Sequence, residues 1–431
     1  MAHYLICCTP ARSHVGPMLA IAGHLSRQGH DVLVLTGSRF RDQVERTGAG
    51  FAALPPECDY DDADLDRSFP GREKLHGLDR FRFDIDHIFV DPIPAQAEAV
   101  GTLIVAHHPD AVVVDVGFVG VVPLLLRGPT GRPPVVTIGL TPLMFSSRDT
   151  APFGLAKPPS ASPLGRLRNR ALQELTHRMF RGNQRHINEV LERLGLGKLP
   201  VFFLDVAPLA DQYLQLCGPS FEYPRSDLPA HVRFVGPIIP PPTTDSELPP
   251  WWDEVEDGRP VVLVTQGTVD NLDLSRLLEP TLSALDGADV LVIATTGGRP
   301  VSVLPPPPDN ARVVEFIPYA AVLPHADLMV TNGGYGGVQQ SLAYGVPLIV
   351  AGDSEDKPEV AARVAWTRTG IDLRTGQPEP RAIREAVDRV LTDPTYRARA
   401  TQLAAEMRGL DALTSIEESL RTVRPRQGTS A

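Results

Sequence analysis

The sequence is poor in cysteine, in positive charge and in long apolar runs, and each shortage removes a class of protein. Its four cysteines, Cys7, Cys8, Cys58 and Cys217, are scattered without a CxxC pair. Neither a zinc site nor a disulfide framework follows from that spacing, and a reducing cytoplasm is the expected setting. The apolar run after Met1 spans only residues 4–8, too short for a signal peptide's core. Nothing further along approaches the ~18 uncharged apolar residues of a membrane span, so none is expected. The formal net charge of −11 argues against a nucleic-acid backbone as the main partner, since phosphate binding needs a basic face. Residues 166–193 are rich in arginine, but Glu174, Glu189 and Glu192 interrupt them, which reads as a solvated helix face with no partner. No Asp-x-Asp pair ends a strand. Asp59, Asp61, Asp62, Asp64 and Asp66 fall in an irregular stretch that reads as a solvated acidic loop. No metal or other cofactor is therefore expected.

At 431 residues the chain exceeds what one hydrophobic core fills, so two domains are expected. The first half alternates strand-like and helix-like stretches: residues 3–9, 17–28, 31–36, 39–46, 84–106, 111–115 and 135–140. This rhythm predicts a parallel sheet. Residues 55–78 and 141–163 interrupt it with longer irregular segments. A Pro/Thr/Ser/Glu-rich stretch, 237–250, has a linker's composition, and after Trp251 the βα rhythm restarts. The fold class is α/β, with two doubly wound, Rossmann-like parallel-sheet domains facing each other across a cleft. The expected units are 1–236, a linker at 237–250, 251–405, and a C-terminal helix and tail at 406–431 able to pack back on the first domain, with disorder after Pro425.

The strongest local signal is Thr331-Asn332-Gly333-Gly334-Tyr335-Gly336-Gly337-Val338-Gln339-Gln340, which leaves an apolar strand and enters a helix. Glycines let a ligand approach the backbone, and free N–H groups at a helix start favour a diphosphate. The first βα turn, residues 9–17, is no GxGxxG, so a dinucleotide reading loses its main support.

Four stretches then fall in one order: Phe316-Ile317-Pro318-Tyr319, Thr331-Asn332-Gly333-Gly334, Gly345-Val346-Pro347 and Asp356-Lys357. In order and spacing they resemble the signature of the family 1 nucleotide-sugar glycosyltransferases, the antibiotic and secondary-metabolite enzymes of GT-B fold. The resemblance covers nearly the whole chain. It implies that Phe316 stacks on the nucleobase and that Ile317 offers its backbone to the base edge. Asn332 stands where the family usually has a diphosphate-contacting histidine, Gly337 where a small hydroxyl is common, and Gln340 where a glutamate holds the ribose. Gly333, Gly334, Gly336 and Val338 complete the donor turn. Asp356 and Lys357 fall where an Asp-Gln pair grips the transferred sugar, with a solvated helix start as the alternative for Lys357. Thr268, after the first strand of the second domain, is the candidate for a phosphate-touching hydroxyl.

The same resemblance implies the catalytic pair. His14 sits in a Ser-His-Val-Gly-Pro turn after the first strand, and Asp115 ends the apolar run 111–115. A histidine near pKa ~6.5 can accept a proton from a sugar-accepting hydroxyl, and a carboxylate behind it orients the ring. A structural loop histidine and a helix-capping aspartate are the bland alternatives. The implied reaction is inverting transfer of a hexose from a UDP- or TDP-sugar to a hydrophobic acceptor, such as a polyketide, macrolide-like or ansamycin-like antibiotic or a phenolic compound. Phe81, Phe89, Met144 and Phe145 are the candidate acceptor contacts, and a monomer or homodimer is expected. A catalytically silent sugar-nucleotide binder assisting a partner transferase, and a sugar-nucleotide epimerase, are the rival classes.

Overall fold

The computed structural model describes residues 1–240, 248–268 and 271–426. Part of the predicted linker, 241–247, and the end of the tail, 427–431, lie outside the described residues. The first sheet contains β1 (His3–Cys7), β2 (Asp31–Thr36), β3 (Gly50–Ala53), β4 (Ala111–Asp115), β5 (Val135–Gly139), β6 (Gln212–Gln215) and β7 (Val232–Phe234). They lie in the order β3-β2-β1-β4-β5-β6-β7. The second sheet contains β8 (Val261–Thr265), β9 (Leu291–Thr295), β10 (Ala311–Val314), β11 (Leu328–Thr331), β12 (Leu348–Val350) and β13 (Gly370–Asp372). Their order is β10-β9-β8-β11-β12-β13. Every pairing is parallel. Helices on both faces explain why β4 and β8 are buried along their whole length, and why they read as unbroken valine-rich runs.

Each sheet reverses its winding once, between β1 and β4 in the first domain and between β8 and β11 in the second. Ligands of doubly wound sheets bind outside the carboxyl ends of the strands at such a reversal. The segments leaving these four strands therefore set the site.

The helix Arg12–Arg27 starts five residues before the predicted residue 17 and carries Pro17 inside it. Proline suits a first helical turn, and that preference misplaces the start. Ala11 provides no side-chain cap; instead Asp62 Oδ2 accepts the Arg12 N–H at 2.6 Å, while Asp62 also pairs with Arg39. This corrects the solvated reading for Asp62, which is buried, whereas Asp61 and Asp64 are exposed as expected. Free N–H groups and the positive end of a helix are where a buried carboxylate is stabilised.

The continuous helical stretch Gly77–His107 is long and apolar enough to cross a membrane by length and composition. Asp91 and Glu98 interrupt its apolar residues, so a search for uncharged runs passes over it. Its Ile93 and Val100 are buried in the first domain's packing. After the second domain the chain returns to the first. Ala412, Ile416 and Leu420 of the last helix, Ala412–Thr422, join the cluster around Tyr4, Met18 and Ile21. Glu417 accepts hydrogen bonds from His24 Nε2 at 2.8 Å and His30 Nε2 at 3.3 Å.

Candidate active site

His14 lies in the first turn of the helix after β1, and Asp115 is the last residue of β4, so the two flank the first sheet's reversal. His14 Nδ1 is 2.6 Å from Asp115 Oδ1. Asp115 is 1% exposed and also accepts the Thr9 N–H at 2.6 Å, the Thr9 hydroxyl at 3.0 Å and the Gly117 N–H at 2.8 Å. A Cβ at Gly117 would meet His14 Cε1 at 3.1 Å, so only glycine lets the backbone lie against the ring without displacing it. Thr9 and Gly117 escape the sequence reading; the glycine two residues past a strand-end aspartate is the signal that could find them.

Burial opposes the charged form of each partner, and their mutual attraction overrides it. Burial lowers the His14 pKa, but the charge and hydrogen bond of Asp115, followed by the charges of Asp356 and Glu355, leave it raised above 6.5. Burial raises that of Asp115, yet His14 and the Thr9 and Gly117 N–H groups leave it below 3.8. An ionised Asp115 takes the Nδ1–H tautomer, which leaves the Nε2 lone pair of a neutral ring free. The His14 side chain retains 18% exposure.

Across the cleft, the segments after β8 and β11 flank the second reversal. Gly333 has φ +92°, and a Cβ there would strike Val350 Cγ1 at 2.6 Å. Gly334 precedes the first residue of the helix Tyr335–Ala343, whose opening turn includes Gly336 and Gly337. Asn332 is buried and donates from Nδ2 to the Gln266 carbonyl at 2.6 Å, tying the β11 segment to the β8 segment. Thr268 is exposed on the β8 side. Val338 is fully buried in the core, so only its backbone can serve a ligand. Gln340 is half-buried. Phe316 is 68% exposed whereas the adjacent Ile317 is buried. Tyr335 spans the cleft, its hydroxyl accepting from Gln215 Nε2 of β6 at 2.6 Å.

Asp356 and Lys357 begin the helix Lys357–Thr367. Lys357 is buried, with Nζ donating to Ser354 Oγ at 3.0 Å and to the Glu355 carboxylate. This burial removes the alternative of a solvated helix start for Lys357. Burial pushes the Asp356 carboxyl up to about 6 against the pull of Lys357, with Glu355 adding to the rise. The same helix holds the two domains together. Glu359 accepts the Gly154 and Ala156 N–H groups at 2.8 Å each, and Arg363 bonds both Glu359 and Glu222.

The four candidate acceptor contacts differ in exposure. Phe81 is partly exposed and stacks edge-on against Phe180, with centroids 5.7 Å apart. Phe89 and Met144 are half-buried. Phe145 is a core residue, packed against Tyr213 with centroids 5.8 Å apart and under the Arg225 guanidinium. That corrects its reading as a candidate acceptor contact: an apolar residue in an irregular segment is drawn into the nearest core.

Comparison with known proteins gives this arrangement a family. The chain is 44% identical over 414 residues to 4'-demethylrebeccamycin synthase of Lentzea aerocolonigenes, covering 96% of this chain and 97% of that one. The chain belongs to the family 1 glycosyltransferases of antibiotic type. The glycosyltransferase is also 39% identical over 435 residues to UDP-glycosyltransferase 2 of Phaeomoniella chlamydospora, covering 97% and 95% of the two chains. Residues 277–421 match the family model described as erythromycin biosynthesis protein CIII-like, C-terminal domain. Among solved structures, the calicheamicin glycosyltransferase CalG4 superposes with a TM-score of 0.74 at 22% identity, over 99% of this chain and 100% of that one. The two parallel sheets of this glycosyltransferase thus form a GT-B fold.

Proposed function

We propose that this glycosyltransferase moves a hexose from a UDP- or TDP-linked sugar to a hydroxyl of a hydrophobic natural product, with inversion and with His14 as the base. The observation that carries the reading is the buried Asp115 carboxylate 2.6 Å behind a partly exposed His14. His14 Nε2 takes the proton of the acceptor hydroxyl, and that oxygen attacks the anomeric carbon. The bond from that carbon to the diphosphate oxygen breaks, and the nucleoside diphosphate departs with the electron pair. Asp115 holds the ring and stabilises the imidazolium. The N–H groups at the start of the helix Tyr335–Ala343 and the Thr268 hydroxyl receive the diphosphate charge. Phe316 offers the open face that a nucleobase needs for stacking, Gln340 faces the ribose, and Asp356 faces the sugar. This donor set of N–H groups and hydroxyls uses no metal.

The curated relatives support the substrate classes, since one is named for a rebeccamycin step and another for UDP-sugar use. The test is mass spectrometry of uridine and thymidine sugar donors mixed with a panel of aromatic and macrocyclic alcohols. A hexose mass gain, with a β-glycoside formed from an α-linked donor, is the expected result. Retained configuration sinks the single-displacement mechanism. An isomerised donor sugar without acceptor would make the protein an epimerase, and binding without turnover would make it a silent homologue.

A further inference from the structure

The helix Pro163–Met179 is built inside out. Facing the domain are Gly165 and Asn169, both buried. Asn169 Nδ2 donates to the Arg148 carbonyl at 3.0 Å, and Gln173 Nε2 to the Ser147 carbonyl at 2.7 Å. Facing outward are Leu164, Leu167, Leu175 and Met179, with exposures of 79%, 65%, 52% and 39%. At about 100° per residue these four fall within an arc of about 120°, which the exposed Arg168 and Arg178 also enter, so the outward face combines apolar and basic side chains. An amphipathic helix of a globular domain packs the other way round, and large apolar side chains gathered on an exposed face mark a surface that something covers.

Charge identifies the cover. Between residues 163 and 185 stand six arginines and one carboxylate, Glu174, in a chain of net charge −11. Arg170 and Arg178 of this helix are exposed, as are Arg181 and Arg185 of the helix Arg181–Arg193 that follows it, and no ion pair involves any of them among the described residues, in contrast to Arg166, which pairs with Asp149. A second copy seated on this face would set arginines against arginines. Anionic lipid headgroups satisfy them while the acyl boundary takes up the leucines, and long arginine stems reach from apolar surface to phosphate.

We propose that the helix Pro163–Met179 seats the protein on an anionic membrane surface. The helix lies in the interface plane and does not span. Ser147 and Arg148, which it holds, belong to the same irregular segment as Met144, so the seated helix brings the lipid surface to the acceptor side of the first domain.

The test is co-sedimentation of the full chain with vesicles of phosphatidylglycerol or of phosphatidylcholine. Binding to the first and not the second is expected, weakening as salt rises. The double variant Leu167→Glu/Leu175→Glu should lose binding by at least about tenfold, with glycosyl transfer to a water-soluble acceptor and the far-ultraviolet circular dichroism unchanged. Both side chains are exposed, so the fold does not depend on them. Absent vesicle binding, or binding that the double variant leaves intact, overturns the proposal. So does a dimer in light scattering that the double variant dissociates without any vesicle binding, which would assign the face to a second copy.

Discussion

Arg363 of the second domain donates to Glu222 of the first, from Nε at 2.7 Å and from Nη2 at 2.5 Å, with both side chains 1% exposed. Arg363 also bonds Glu359, whose other oxygen holds the Gly154 and Ala156 N–H groups. One guanidinium therefore fixes the helix Lys357–Thr367 and an irregular segment of the first domain together. Removing one member of a buried pair leaves the others charged and unpaired. Arg363→Ala should lower the free energy of urea unfolding by ~3–5 kcal/mol, whereas Arg363→Met combined with Glu222→Leu should recover part of the loss.

Two glycines of the turn proposed to seat the donor separate fold from ligand. Gly333 needs its positive φ and has no room for a Cβ, whereas a Cβ at Gly336 would meet nothing within 4 Å. Gly333→Ala should lower the melting temperature and abolish donor binding together. Gly336→Ala should leave melting unchanged or slightly raised, since alanine favours a helix. A rise in its donor KM then reports a ligand against the helix start, and an unchanged donor KM removes the diphosphate from that turn.

The proposed base His14 and its partner Asp115 fix a pH signature. A general base works when neutral, and the His14 pKa is raised above 6.5, so the acid limb of kcat/KM should lie above that value. In Asp115→Asn the opposing charge is gone and burial lowers the histidine. The limb should then move to lower pH while the plateau falls ~100-fold or more. In stability the signs differ. The His14 contribution is complete below pH 6.5 and is lost as pH rises through its folded value, whereas that of Asp115 is complete above 3.8 and is lost as pH falls. Asp356, pushed up to about 6, costs stability at neutral pH, so Asp356→Asn should melt higher at pH 7 while transferring sugar more slowly. Titration of melting temperature against pH checks both statements.

Strands with unbroken apolar runs were legible from the sequence. Residues 31–36, 111–115 and 261–265 match β2, β4 and β8 end to end, because burial on both faces leaves no competing signal. The short edge strand β3, with Gly50, Ala52 and Ala53, and the polar β6 were not legible, since pairing within the sheet makes them strands and their residue types do not. The role of Asp62 was hidden for a related reason: an acidic cluster looks solvated until the helix it caps is in place. The family resemblance brought out His14 and Asp115, yet the Thr9 bonds that hold the carboxylate arise only when β1 and β4 pair. The buried state of Lys357 likewise depends on the β12 segment folding over it, where Gly352 leaves room: a Cβ there would meet Lys357 Cβ at 2.9 Å.

In the proposed mechanism His14 removes the acceptor proton. Single-turnover transfer and equilibrium donor binding, measured side by side for His14→Ala and the unaltered protein, separate that role from donor binding. Transfer should fall at least ~100-fold while donor affinity stays within about twofold. An unchanged transfer rate would contradict it.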